Sequence, residues 1–400
     1  MSILAHRLEG VRPSATKAMT AAAAELRAKG RSVITLSQGE PDFDTPEHVA
    51  EAGVAAIRNG LTRYTPVAGV TPLREAIVQK LDRENGLKYH ADQVTVGCGA
   101  KQVLFNALLA TLNPSDEVVI AAPCWVSYPD MVRLAGGVPI IVDCTAANGF
   151  KLTPDDFDAA ITPRTKWLML NSPSNPTGAV YTEDEYRALG EVFRRHPHIW
   201  LLADDIYEKL VYGNARFTTM PQVMPELIGR TLVVNGVSKS AAMTGWRVGY
   251  GAGPAHLIKA MNTIQGQSTS HTSSVSQYAA VAAISGDQSF LIPFLTEYEA
   301  RRNLVVDLIN RAAGLSCDVP DGAFYVFASC EHAIGKLTSR GQRIESDQDF
   351  ALYLLQEAGV AVVAGSGFLA SPYVRLSYAS SREDLSNACN QIIEACSALR

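Results

Sequence analysis

The stretch 231-TLVVNGVSKSAAMTGWRVGY-250 decides the fold. It opens on β-branched and apolar residues without polar alternation, the composition of a strand covered on both faces. It breaks at Gly236, presents Ser238-Lys239-Ser240, and returns through Gly245-Trp246-Arg247 to a second apolar run at 248–252. A lysine where a buried strand stops, and an arginine eight residues on, read in two ways. They are two basic residues of a surface turn, or an amine held for covalent chemistry and a cation held for an anion.

Outward from this stretch the same pattern recurs. Short apolar runs at 93–96, 118–121, 138–143, 166–170 and 199–203 join those at 231–235 and 248–252, and segments with helical spacing, such as 101–112 and 183–195, lie between most of them. This alternation predicts an α/β fold: a large domain over 45–290 with a mainly parallel seven-stranded sheet covered on both faces. Beyond it, a long helical stretch from about 290 to 313 leads to short strands at 323–328, 360–363 and 373–377. With an Ala-rich helix at 15–29 and a strand at 33–36, these predict a smaller α+β domain built from 1–44 and 291–400.

The bulk numbers agree with two domains in 400 residues. A chain 47% apolar and 19% charged has the composition of a globular protein, and a net charge of −5 argues against a polyanion-binding surface. No apolar run is long enough to span a bilayer, and the charged start MSILAHRLEG does not have the pattern of a secretory signal. The seven cysteines are odd in number, scattered and without a CxxC pair, which points to neither a disulfide framework nor a zinc site. The expectation is a reduced, cytoplasmic enzyme.

Further stretches carry candidate chemistry, each beside a plainer reading. In VTVGCGAKQ (94–102) a strand runs into a glycine turn that opens a helix, whose first amides suit a phosphate. Gln102 replaces the third glycine of a dinucleotide fingerprint, and a tight turn alone also explains the stretch. In IWLLADDIY (199–207) an apolar strand ends at Asp204, where ligands of open α/β sheets gather. Asp204 suits a cationic ring nitrogen with Tyr207 facing the same ligand; a solvated loop and helix cap is the alternative. In NSPSNPTG (171–178) Asn175 precedes Pro176 and is biased away from helix, so its amide can project into a cleft, although a rigid turn needs no function. In APCWVSYP (122–129) Trp125 either stacks on a planar ligand or belongs to a core. In YVRLSY (373–378) Arg375 shares a strand face with Ser377 and requires an anion, from a ligand or from an internal salt bridge.

Together these stretches resemble the class I aminotransferases that use pyridoxal 5′-phosphate, the fold-type I family, and within it the bacterial aspartate, aromatic and prephenate aminotransferases. LSQGEPDFDTP (36–46), RYTPVAGVTPLREAI (63–77), GCGAKQ (97–102), ADDIYEKL (203–210), VSKSAAMTGWRVGY (237–250) and YVRLSYA (373–379) carry the resemblance with the motifs above, in family order along nearly the whole chain. It implies that Lys239 forms the covalent link to the cofactor and then moves a proton as general base, and that Asp204 pairs with the pyridine nitrogen. Tyr207 and Asn175 would bind the phenolic oxygen, and Trp125 would stack on the ring. Gly99, Ala100, Lys101, Ser238 and Arg247 would surround the phosphate, with Tyr64 reaching the phosphate of the other subunit of a homodimer. Arg375 and Gly39 would bind the substrate α-carboxylate, beside Trp125 and Asn175.

The chain departs from the family at His271-Thr272, where many relatives have Asn-Pro, and at Arg12, where they often have lysine. His271 is a plain surface or helix-start residue, or it tunes substrate choice. Arg12 is a solvated arginine, or the partner of a second substrate carboxylate. The resemblance therefore implies exchange of an amino acid with a 2-oxo acid, led by aspartate with 2-oxoglutarate. Aromatic or prephenate transamination comes next, and a C–S lyase of the same fold is more distant. No metal, nucleic acid or membrane partner is expected.

Overall fold

The computed structural model describes residues 3–11 and 13–400, so the expected substrate contact at Arg12 lies outside the described residues. Its strands are β1 (Ile34–Thr35), β2 (Val94–Cys98), β3 (Glu117–Ala122), β4 (Val138–Asp143), β5 (Thr165–Asn171), β6 (Trp200–Asp204), β7 (Thr231–Gly236), β8 (Val248–Ala252), β9 (Tyr325–Ser329), β10 (Val360–Ala361), β11 (Val363–Ala364) and β12 (Tyr373–Ser377). One seven-stranded sheet has the order β2-β8-β7-β6-β5-β3-β4. Every pairing from β7 to β4 is parallel, while β8 runs antiparallel to both of its neighbours. The fold is the α/β arrangement with a mainly parallel sheet that the unbroken apolar runs imply.

Alternation along β3 shows why those runs are apolar throughout. Val118 and Ile120 enter one core with Leu104, Leu108 and Met261, from helices Ala100–Thr111 and Ala255–Gly266. Val119 enters the opposite core with Leu189, Val192 and Phe193 of helix Glu183–Arg195. Successive side chains point to opposite faces, and here both faces are covered.

The C-terminal elements form a second centre. In it β12 lies between β11 and β9, antiparallel to both, and β1 pairs in parallel with β10. Phe324, Val326, Val374 and Leu376 fill its core with Leu385 and Ile392 of helix Arg382–Ser397. The segment after β1 threads across these strands: the Leu36 amide donates to the Ala361 carbonyl at 2.9 Å, and the Ser377 amide to the Leu36 carbonyl at 2.8 Å. The single strand expected at 360–363 is in fact β10 and β11, which belong to different sheets. An all-apolar run has no alternation to show where it changes partner. The helix expected to reach 313 ends at Ile309.

Buried charge beneath the large sheet is compensated locally. Lys80 is ion-paired with Glu208, lies 3.6 Å from Glu84, and donates to the Asn85 side chain at 2.8 Å. Lys209 closes on Glu84 at 2.6 Å. These contacts tie helix Thr71–Asn85 to the segment that follows β6, so the residues after Asp204 are anchored from behind.

Candidate active site

The ends of β5, β6 and β7, the start of helix Ala100–Thr111 and Arg375 of β12 meet around a cavity of about 930 Å³. Gly39, Ala100, Lys101, Trp125, Asn175, Asp204, Tyr207, Ser238, Lys239, Arg247 and Arg375 all line it. Parallel strands aim their carboxyl ends the same way, which brings residues far apart in sequence to one edge.

Lys239 stands three residues past Gly236, the end of β7. Its Nζ donates to the Gly39 carbonyl at 2.5 Å. Burial lowers the amine to about 8; Glu40 opposes the fall, Arg375 and Arg247 add to it, and Asp204 opposes it. At neutral pH far more of this amine is unprotonated than of an ordinary lysine.

Asp204 ends β6. Its Oδ2 accepts the Tyr128 hydroxyl at 2.6 Å and its Oδ1 the Ile206 amide at 3.3 Å. Burial lifts the carboxyl to about 6, and the Tyr128 bond, the Ile206 amide and Lys239 restrain the rise. Asp205 does not line the cavity, although it too is buried. Burial raises its carboxyl well above the usual range, with Glu208 and Asp204 adding to the rise.

Arg375 is fully buried yet pairs with no carboxylate among the described residues. One guanidinium nitrogen donates to the Asn175 side-chain oxygen at 2.9 Å and another to the Ser37 carbonyl at 2.6 Å, while Nε has no partner. Its guanidinium carbon lies over the rings of Tyr325 and Phe368, 4.4 and 4.8 Å from their centroids. The internal salt bridge that the strand pattern allowed is not formed. A cation desolvated with neutral partners and an unused donor is set up to receive an anion.

Two more cations, Arg247 and Lys101, line the same cavity. Arg247 donates to the carbonyls of Thr244 and Cys98 at 2.9 and 3.1 Å. Lys101, in the first turn of its helix, lies 4.5 Å over the Trp125 ring and 3.2 Å from the Ser127 hydroxyl. Burial lowers the Lys101 amine, and Lys17 and Arg247 lower it further. The helix start adds N–H groups that have no partner inside the helix. Gly99 precedes that start just outside the cavity lining.

The remaining expected residues fall as follows. The Asn175 backbone N–H donates to the Asn171 side-chain oxygen at 2.9 Å, and the Asn171 side-chain nitrogen in turn donates to the Asp204 carbonyl at 2.8 Å. Tyr207 shares a 2.7 Å hydrogen bond with the Tyr325 hydroxyl. Tyr64 is 93% exposed and lies outside the cavity of its own chain. Its ring meets His271 edge-on at 5.6 Å. His271 is part-buried: Nε2 accepts the Thr65 amide at 3.3 Å, so Nδ1 donates to the Thr272 carbonyl at 2.7 Å.

Sequence reasoning missed Tyr128 and Tyr325. Tyr128 was within reach, three residues after Trp125 in APCWVSYP, and it opens the helix Tyr128–Leu134 with its ring edge-on to Trp125 at 5.5 Å. Tyr325 sits in an apolar strand, and only the meeting of two sheets brings it to the cavity.

A pyridoxal phosphate needs an unprotonated amine, a carboxylate for its ring nitrogen, a flat apolar wall and a cationic phosphate cradle. Lys239, Asp204, Trp125, and the Arg247–Lys101 pair at the helix start supply them, so the residues present fit that group.

The chain matches the family described as aminotransferase class I and II over residues 31–392. It is 54% identical, with all of both chains covered, to a probable aspartate/prephenate aminotransferase of Rhizobium leguminosarum bv. phaseoli, and 54% identical at the same coverage to the aspartate/prephenate aminotransferase of Cereibacter sphaeroides. The crystal structure of the aspartate aminotransferase from Rhizobium meliloti superposes with a TM-score of 0.97 at 50% identity, covering both chains in full. The Thermus thermophilus aspartate aminotransferase with maleate superposes with a TM-score of 0.91 at 42% identity, covering 99% of this chain and 100% of the other. An amine, a carboxylate and the cations Arg375, Arg247 and Lys101, lining one cavity, thus lie on a chain that belongs to the class I and II aminotransferases.

Proposed function

We propose that this protein is a cytoplasmic, homodimeric aminotransferase that uses pyridoxal 5′-phosphate to exchange the amino group of aspartate with 2-oxoglutarate. The observation that carries the reading is Arg375, buried without a carboxylate partner in the same cavity as a lysine lowered to about 8. An α-carboxylate on Arg375 brings the α-carbon of an amino acid toward Lys239. The relatives named for aspartate support the choice of substrate. Among the described residues no helix is long and apolar enough to cross a membrane.

The cofactor, when bound, supplies an electron sink for the pair released at the α-carbon. Lys101, Ser238, Arg247 and the amides at Gly99 and Ala100 would hold its phosphate, and Trp125 would cover its ring. Asp204 would stay ionised opposite the ring nitrogen and favour its protonated form. Asn175 and Tyr207 would hold the phenolic oxygen, and Tyr64 would reach the phosphate site of a second copy. Lys239 would take the α-proton as general base and return it on the far side of the amino nitrogen, two atoms along, a task for which an amine near 8 is better matched than an ordinary lysine. Arg375, with Gly39 beside it, fixes the orientation in which that proton faces Lys239. We assign the second carboxylate of aspartate to Arg12 on charge alone. Residues 45–290, and 1–44 with 291–400, are our two bodies on either side of this cleft.

A panel of amino donors with 2-oxoglutarate tests the reading. Aspartate should give the highest kcat/KM, and Lys239→Ala should lower transamination by about a thousandfold or more. Full turnover in that variant would overturn the assignment. Two relatives are also named for prephenate, so prephenate is the acceptor to test second. Pyruvate released from cystathionine without any 2-oxo acid would instead select a lyase.

A further inference from the structure

Tyr325 touches the groups proposed to grip the substrate, and no step above uses it. It is fully buried on β9 and lines the cavity. Its hydroxyl is 2.7 Å from that of Tyr207, and the Arg375 guanidinium lies 4.4 Å over its ring. The main chain at Gly39, whose carbonyl accepts the Lys239 amine, passes so close that a Cβ there would fall on the Tyr325 hydroxyl.

We propose that Tyr325 is a positioning residue that donates its proton to Tyr207 and so turns the Tyr207 proton toward the cofactor. The argument is a count of protons. A phenol donates once. If Tyr207 donated to Tyr325, its oxygen would be left only to accept, and an anionic phenolic oxygen has nothing to give it. The pair serves such an oxygen only when Tyr325 is the donor. Arg375 on the ring face favours that direction by drawing charge from the Tyr325 oxygen. Burial raises the hydroxyls of both tyrosines, and Tyr325 adds to the rise of Tyr207, which is pushed well above the usual range. Two donors in series polarise each other, so the second strengthens the first. Gly39 is then the residue that leaves space for the Tyr325 oxygen.

The inference rests on the reading that the cavity holds pyridoxal 5′-phosphate. Its test is a pH titration of the visible absorbance of the holoenzyme, run beside binding of succinate as a carboxylate probe. A donor at the phenolic oxygen draws negative charge out of the chromophore, so the protonated chromophore releases its proton more readily. Tyr325→Phe weakens that donor and should raise the midpoint by about 0.5 pH unit. Tyr207→Phe should raise it further, and the double variant should match Tyr207→Phe alone, because Tyr325 acts through Tyr207. Gly39→Ala, which displaces the hydroxyl with Tyr325 intact, should move the midpoint in the same direction. Succinate affinity should stay within about twofold in Tyr325→Phe, which keeps the ring under Arg375, and fall about tenfold in Tyr325→Leu, which removes it. A midpoint unchanged in Tyr325→Phe while Tyr207→Phe moves it, or shifts that add in the double variant, would overturn the inference. A wild-type protein that shows no pH-dependent visible absorbance with the cofactor would instead remove the reading beneath it.

Discussion

Asp204 is 4% exposed, and its carboxyl sits at about 6 where an ordinary one sits at 3.8. In the unfolded chain it releases its proton near 3.8, whereas the folded chain keeps it to about 6. Between those values the folded state holds the extra proton, so stability falls as pH rises through the window, by about 3 kcal/mol in all. Cofactor-free Asp204→Asn should therefore melt above the wild type at pH 7.5, and the difference should vanish near pH 4; thermal melts at the two values check it. The same variant should lose about a hundredfold in transamination, because the group that costs stability is the one we assign to the ring nitrogen. A wild type that melts higher at pH 7.5 would contradict the sign. At this scale the sequence is informative but not sufficient. It marks Asp204, at the end of the apolar run and three residues before Tyr207, and both line the cavity where Asp205 does not. The Tyr128 hydroxyl that holds the Asp204 carboxylate comes from 76 residues earlier, and no local residue pattern records that contact.

The strand β8 and the helix Ala100–Thr111 meet at Gly249. A Cβ at Gly249 would fall on the amide of Ala100, a backbone atom that cannot swing aside. Gly249→Ala should push the helix start out of place and weaken cofactor binding by about tenfold or more, with a loss of about 1–3 kcal/mol in stability. Equilibrium dialysis of the cofactor and a denaturant melt measure the two effects. Binding at wild-type affinity would show that the helix start does not hold the phosphate. The elements themselves were largely legible, because strands covered on both faces are apolar runs and the helices between them keep their own spacing. The run at 248–252 reads like its neighbours although β8 is antiparallel. Strand direction depends on the path of the connection, and an apolar composition is the same either way.

At the scale of the whole molecule, Tyr64 is the clearest loose end, an aromatic ring 93% exposed and braced by His271 outside its own cavity. If it completes the site of a second copy, damage to two different chains is complementary. Lys239→Ala alone should be inactive, and Tyr64→Ala should be inactive at a cofactor concentration too low to fill it. Co-expressed, half of the dimers are hybrids, and each hybrid has one site with both residues intact. About a quarter of wild-type activity should return. No recovery would mean that each chain completes its own site. The threading of the N-terminal segment has a consequence in time. β1 finds its partner only at Val360–Ala361, and Leu36 only at Ala361 and Ser377. On a ribosome β1 emerges among the first and waits for its strand partner until almost the whole chain has been made, whereas Glu40 and Thr45 can already meet Thr244 and Ala242. The large sheet can close meanwhile, but Arg375, on β12 near the end of the chain, arrives last. Newly made protein should therefore be folded in most of its length before it can perform any chemistry.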